Sequence, residues 1–308
     1  MGNAGLTDLL PTRLVRSASL SERAGSDVYL KLELELPTGS FKVRGALHAL
    51  TKQCERAPVG EVVAASTGNH GAAVAWAARA LGVRAQIFVP VGANAAKTAR
   101  IKSLGATLTE VGADIEGARR AAEEYARGHG GFLLDDATNA DVPIGAGAIG
   151  AEIGDQLPGC GSIVVPVGDS ALIRGVAAAA KAGMPNVVIV GVQAERAPAY
   201  SRSWHAGAVV TTETADTMAD GLATTTPTPD NVAAIRELVD DMVLVSEAEL
   251  VDAMRWLVAN DRLVVEPAAA APVAAILRPG PAWPAPMVAV LTGQNLAPEL
   301  VGVVREGR

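Results

Sequence analysis

Short apolar runs alternate along the chain with longer, Ala-rich stretches of helical period. EVVAAS (61–66), AQIFVP (85–90) and TLTEVG (107–112) are each followed by a helical stretch: HGAAVAWAARALG (70–82), AAKTARIKSLG (95–105) and DIEGARRAAEEYARGHG (114–130). This alternation predicts three βα units feeding a parallel sheet. The strands are continuously apolar rather than alternating, as in sheets covered on both faces. A second series begins near residue 143 with the helical GAGAIGAEIGDQL, followed by the strand SIVVPVG (162–168) and the helix ALIRGVAAAAKAG (171–183). It continues with the strand VVIVGVQ (187–193), the helix SEAELVDAMRWLVAND (246–261) and the strand MVAVLTG (287–293). Ser246 and Glu249 have the spacing of a capping box. Earlier, VYLKLELEL (28–36) reads as a strand and GALHALTKQ (45–53) as a helix. The Thr-rich stretch 196–230, with Pro227 and Pro229, is the longest irregular region and is expected to be a loop.

Composition narrows the classes. The chain has 308 residues, 49% hydrophobic but only 3% aromatic, so its core is built from Ala, Val, Leu and Ile. A net charge of −7 argues against nucleic acid as partner, because neutralising phosphates needs a basic surface. Two cysteines without CxxC spacing, Cys54 and Cys160, give no disulfide framework or zinc site. No apolar run is long enough to span a membrane and no secretory signal is apparent, so a cytoplasmic protein is expected. The start MGNAGLT loosely fits the myristoylation pattern at Gly2 and Thr7.

Candidate chemistry lies where strands turn into helices, because open α/β sheets bind ligands at the carboxyl ends of their strands. In PTGSFKVRG (37–45), Lys42 stands at a predicted helix start, where the helix dipole disfavours a cation. On its own it reads mainly as a solvated surface residue, since charged groups are rarely buried unpaired; a desolvated amine there would be a nucleophile toward carbonyls. ASTGNHGAAVA (65–75) places Ser66, Thr67, Gly68, Asn69 and His70 at such a junction, suited to a carboxylate or phosphate or to plain capping. PVGDSALIRG (166–175) carries Gly168, Asp169, Ser170, Ala171 and Leu172 at another; it has anion-cradle geometry but no Walker A pattern. LTGQNL (291–296) ends the last strand with Thr292.

Together these segments resemble the fold-type II enzymes that use pyridoxal 5′-phosphate, and within them the serine/threonine dehydratases and serine racemases. TGSFKVRGA is similar to the family's Schiff-base lysine stretch and STGNHG to its S-x-G-N-H loop. PVGDSAL lies at its phosphate loop and TGQN at its S-G-G-N turn. TRLVRSASLSERAGSDVYLKLE (12–33) and VVEPAAAAPVAAIL (264–277) are similar to its entry segment and late helix. The resemblance implies an α/β fold of two open, mostly parallel twisted sheets flanked by helices, similar to the tryptophan synthase β subunit. It implies a large cofactor-binding domain (1–54 and 141–308), a small substrate-clamping domain (55–140), and the cofactor between them.

By resemblance, Lys42 binds the cofactor and later moves the α-proton, and Phe41 packs near it. Asn69 bonds the cofactor's 3′-oxygen, Gly168 to Leu172 wrap its phosphate, and Thr292 bonds the ring nitrogen. Ser66, Thr67, Gly68 and His70 line the pocket for the substrate carboxylate. The implied activity is loss of water and then ammonia from a β-hydroxy amino acid, giving a 2-oxo acid, in a homodimer. β- or γ-replacement, as in cysteine synthase or threonine synthase relatives, and a catalytically inactive binding homologue are the alternatives.

Several positions depart from the family pattern. Asp169 interrupts the glycine run of the phosphate loop and is expected to point away from the phosphate. Thr67 stands where the racemases carry the serine opposite the lysine, so efficient racemisation is not expected. Gln193 and Ala199 replace the acidic metal ligands, so no metal is expected. Gln294 puts an amide beside the pocket. These departures point to a serine- or threonine-like substrate or a specialised analogue: phenylserine, 3-hydroxyaspartate or a hydroxylated diaminobutyrate derivative. The scarcity of aromatic residues disfavours the aromatic analogue.

Overall fold

The computed structural model describes residue 9 and residues 11–279 and 283–305; Gly2 and Thr7 lie outside them. Among the described residues the strands are β1 (Leu14–Arg16), β2 (Val28–Leu32), β3 (Glu61–Ala65), β4 (Arg84–Val89), β5 (Thr107–Glu110), β6 (Phe132–Leu133), β7 (Ser162–Pro166), β8 (Val188–Ala194), β9 (Asp241–Val245) and β10 (Met287–Leu291). They form a six-stranded sheet in the order β1-β2-β10-β7-β8-β9 and a four-stranded sheet in the order β5-β4-β3-β6. Every pairing is parallel except β1 with β2. This is the expected α/β class, with two mostly parallel sheets flanked by helices.

The chain divides into two compact units, Leu36–Gly145 and Pro11–Glu35 with Ala146 onward. The first contains the four-stranded sheet. Val62, Val63 and Ala64 of β3 are fully buried. The helix Asn69–Leu81 is buried from His70 to Ala78, a run of mostly small side chains that lets its backbone pack closely. The helix Ile115–His129 starts on Asp114, whose carboxylate accepts the Gly117 N–H at 2.8 Å. It buries Ala118, Ala122 and Ala126, spaced four apart on one face, among Val63 and Phe88.

The unit reaches further than residues 55–140, because it also takes in the helix Lys42–Arg56. That helix packs on Asn69–Leu81. Gly45 and Gly145 are closed in without room for a side chain: a Cβ on Gly45 would lie 2.8 Å from Val142, and one on Gly145 would lie 2.5 Å from the Arg44 carbonyl.

The second unit centres on β7 and β10, buried throughout, and on the helix Pro267–Leu277, buried from Pro267 to Ile276. The predicted capping box is present: Ser246 Oγ accepts the Glu249 N–H, and Glu249 accepts the Ser246 N–H. The strand VYLKLELEL ends early, at Leu32, and turns through a short 3-10 helix, Glu33–Glu35. Its alternating glutamates explain this, since Glu33 is fully buried and takes a 2.6 Å bond from the Thr12 hydroxyl.

The Thr-rich stretch is more ordered than a loop. It contains the helix Ala199–Ala206 and a turn, Asp220–Leu222, anchored by buried Ala219 and Leu222. No helix among the described residues is long and apolar enough to cross a membrane.

Candidate active site

Lys42 is the first residue of its helix, entered through a buried turn. Thr38 and Ser40 are fully buried, Gly39 adopts left-handed backbone (φ 59°), and Arg100 donates to the Thr38 carbonyl. The Ser40 hydroxyl is buried without a partner. The Lys42 ammonium lies 2.5 Å from Asp136 Oδ2, and both side chains are less than one-fifth exposed. It also stands 5.3 Å from the centre of the Phe41 ring. The carboxylate supplies the counter-charge that a cation at a helix start lacks.

His70 faces the same carboxylate, its Nδ1 3.7 Å from Asp136 Oδ2. Its Nε2 lies 2.9 Å from the Leu134 carbonyl, which can only accept, so that nitrogen carries the proton. Sequence reasoning misses Asp136. The available signal is its place, a second carboxylate just past the short strand β6. Asp135 beside it is spent on its own turn, accepting the Ala137 and Thr138 N–H groups.

Ser66, Thr67 and Gly68 leave β3 and lead into the helix that begins at Asn69. All four are half-buried, and His70 is buried. Ser66 Oγ accepts the Gly68 N–H at 3.1 Å, a two-residue side-chain turn. Gly71 seats the helix on this turn, since a Cβ there would lie 2.6 Å from the Ser66 carbonyl. The first unit therefore gathers Lys42, His70 and Asp136, with Ser66 to Asn69 on the turn that leads into His70.

In the second unit, β7 runs into Gly168, Asp169 and Ser170, and the helix Ala171–Gly183 follows. A Cβ on Gly168 would lie 2.2 Å from the Gly221 carbonyl. Asp169 does not point away: its Oδ1 accepts the Ala171 N–H at 3.0 Å, so one expected phosphate donor is already engaged. The carboxylate lands there because an aspartate readily bonds the amide two residues on.

Ser170 has left-handed backbone (φ 73°), which costs a non-glycine residue about 1–2 kcal/mol. Its hydroxyl is buried without a partner. A strained backbone, an orphaned buried hydroxyl and a glycine with no room for a side chain, all at a helix N-terminus, fit a phosphate group better than a plain turn.

Thr292 is buried where β10 ends. The next residue, Gly293, lies under Glu266, whose Oε1 would be 2.5 Å from a Cβ. Gln294 is turned onto the chain, donating from Nε2 to the Leu34 carbonyl at 3.0 Å. Gln193 is fully buried and accepts the Ser201 N–H at 2.9 Å, and Ala199 opens the next helix. Among the described residues no three His, Cys, Asp or Glu side chains gather as a metal-ligand set.

A family model described as "Pyridoxal-phosphate dependent enzyme" matches residues 6–293. The chain is 36% identical over 296 residues to an L-threonine ammonia-lyase of Geobacter sulfurreducens, covering 96% of this chain and 74% of that one. It is 34% identical over 266 residues to the catabolic L-threonine dehydratase TdcB of Escherichia coli K12, covering 86% and 81%. Among solved structures, maize serine racemase superposes with a TM-score of 0.90 at 29% identity, covering 95% of this chain and 91% of that one. The processed form of threonine deaminase isoform 2 from Solanum lycopersicum also gives 0.90 at 29% identity, covering 96% and 83%.

Proposed function

Because the chain belongs to the pyridoxal-phosphate dependent enzyme family, we propose that it is an ammonia-lyase acting on a β-hydroxy amino acid of serine or threonine size. The β-hydroxyl leaves first as water, and hydrolysis of the resulting unsaturated amine then takes up one water and releases ammonia, so the product is a 2-oxo acid. The observation that carries this reading is the part-buried Lys42 amine held 2.5 Å from Asp136, with His70 against the same carboxylate. The threonine ammonia-lyase and dehydratase relatives narrow the substrate class.

The cofactor, when bound, supplies an electron sink for negative charge at the α-carbon. Lys42 would hold it through its amine, and the Lys42 Nζ would take the α-proton. Asp136 would then hold the protonated amine in place, with His70 Nδ1 3.7 Å from the same carboxylate. Phe41 packs beside the anchor and Asn69 bonds the 3′-oxygen.

Ser66, Thr67 and Gly68 receive the substrate carboxylate, and His70 closes that side. A hydroxyl at Thr67 is stiffer than a serine's, because threonine is β-branched. It is therefore a poor proton donor to the opposite face, which favours elimination over racemisation. Gly168, Ser170 and Leu172 would seat the phosphate, while the Ala171 N–H stays with Asp169. Thr292 offers a neutral hydroxyl to the ring nitrogen, a weaker sink than a carboxylate partner would give. That suits a reaction in which a β-leaving group drains the charge at once.

The same reading includes a homodimer working in the cytoplasm, on the strength of the family likeness; light scattering on purified protein tests the dimer. The reaction is tested by incubating holoenzyme with L-threonine, L-serine and their β-hydroxy analogues and measuring 2-oxo acid. Release from at least one is expected. Silence on all of them, with product formed only when a thiol acceptor is added, would replace elimination by β-replacement. Asp136→Asn should lower kcat by about 10–100-fold, in the range of an impaired proton transfer. It should also move cofactor uptake to lower pH, since the neutral amide no longer favours the ammonium form of Lys42.

A further inference from the structure

The loop after β7 contains an aspartate where a dianionic phosphate is to bind, and one helical turn further on the chain places an arginine. The Arg174 N–H bonds the Ser170 carbonyl at 3.0 Å, so the two residues are stacked on successive turns at the start of a 13-residue helix. Arg174 Nε is buried with no partner. The Ser170 hydroxyl, on a residue only 1% exposed, is likewise without one. Two buried donors left unmatched one turn apart are uncommon, because each forfeits the bond it had with water.

The aspartate is fixed from both ends. Its carboxylate accepts the Ala171 N–H, and its carbonyl accepts from Asn231 Nδ2 at 3.4 Å, with Asn231 also bonded to Tyr200 at 3.3 Å. Burial lowers the Arg174 pKa, and the charge of Asp169 is the first influence opposing that.

Resting on the cofactor reading above, we propose that Arg174 is a phosphate-positioning residue that, with the Ser170 hydroxyl, replaces the donor Asp169 has taken and offsets its charge. Helical side chains lean back toward the N-terminus, which directs a residue at 174 over the turn at 170. A guanidinium is suited to this place because its fixed fork of donors matches phosphate oxygens and stays charged when buried. Asp169 meanwhile keeps its bond to the Ala171 N–H. The loop would thus bind phosphate through a side-chain charge pair where a glycine run would use backbone amides alone.

The test is titration of cofactor-free protein with pyridoxal phosphate and, separately, with pyridoxal, which lacks the phosphate, following absorbance. Wild type should bind the phosphorylated form far more tightly. Arg174→Ala should weaken pyridoxal phosphate by about 10–100-fold, the worth of a charge-assisted bond, and change pyridoxal by less than about two-fold. Inorganic phosphate should compete in wild type and much less in Arg174→Ala. Arg174→Lys should recover part of the affinity. Asp169→Asn added to Arg174→Ala should recover more, which would reveal coupling between the two.

The 31P resonance of bound cofactor should shift in Arg174→Ala, a change that a merely structural role would not produce. Equal loss of both ligands in Arg174→Ala, or no loss of either, would overturn the proposal. Wild type binding both ligands equally would remove the phosphate role of the loop while leaving the cofactor reading intact. Wild type binding neither would overturn the two together.

Discussion

The two junctions, one after β3 and one after β7, are built alike and charged differently. Each leaves a parallel strand, turns over three residues after β3 and four after β7, and enters a helix of 13 residues. Each turn is held by a side-chain oxygen that accepts the N–H two residues on: Ser66 to Gly68 at 3.1 Å, and Asp169 to Ala171 at 3.0 Å. In the first the oxygen is a hydroxyl, which can rotate and donate to an arriving carboxylate. In the second it is a carboxylate, which can only accept and which repels an anion. The same local geometry therefore gives a receptive turn in one unit and, in the other, a turn that needs a compensating cation. Arg174 is the cation at hand.

The largest effect separates anchor from cradle. Lys42→Ala should cut kcat by at least about 10³-fold, as for loss of a general base, and abolish the pyridoxyl label that borohydride fixes. A label on any other residue would remove Lys42 from its role and end the comparison.

The junction glycines provide the next test. Gly68 has open space where a Cβ would go, whereas Gly168 has the Gly221 carbonyl at 2.2 Å. Gly168→Ala should destabilise by about 3 kcal/mol, as overpacking against backbone does, and Gly68→Ala by no more than about 1 kcal/mol. Urea midpoints compare them directly, and equal losses would show that the second loop is not tightly built.

A smaller effect concerns the neutral turn itself. Ser66→Ala should raise the KM for substrate about three- to ten-fold, the worth of one neutral hydrogen bond, with little change in kcat. A fall in kcat alone would mean that Ser66 acts on the reacting atoms.

The smallest effect is a control outside both turns. The Arg278 guanidinium and the Ser246 cap hold the Glu249 carboxyl down at about 2. A carboxyl lowered by folding stabilises the protein above its ordinary range, and that contribution disappears as pH falls toward about 2. Glu249→Gln should flatten the acid limb of the stability profile while leaving cofactor affinity unchanged. A change in affinity would tie the capping box to the cofactor loop.

Most of the architecture was legible in the pattern of apolar positions. The predicted strands at 61, 85, 107, 162, 187 and 287 all form, their ends within a few residues, and the capping box at Ser246 is present. The elements the pattern missed are short or peripheral. β1 has three residues and pairs on one side only, and β9 is the opposite edge of the same sheet. Edge strands bury less surface and so leave a weaker periodicity. The stretch 196–230 read as a loop because its anchors, Ala219 and Leu222, are single apolar residues among polar ones.

The sequence by itself determined the class of fold, the places where strands turn into helices and the residue types on those turns. Those features depend on local propensity and on the period of side chains along one element. Only the tertiary structure decided what each turn faces. It brought Asp136 to Lys42 across 94 residues, left neighbouring Asp135 to its own turn, and tied Gln294 to Leu34 across 260. It also attached the lysine's helix to the unit of β3. Such pairings depend on which elements pack together, and neither propensity nor period along a single element encodes the partner.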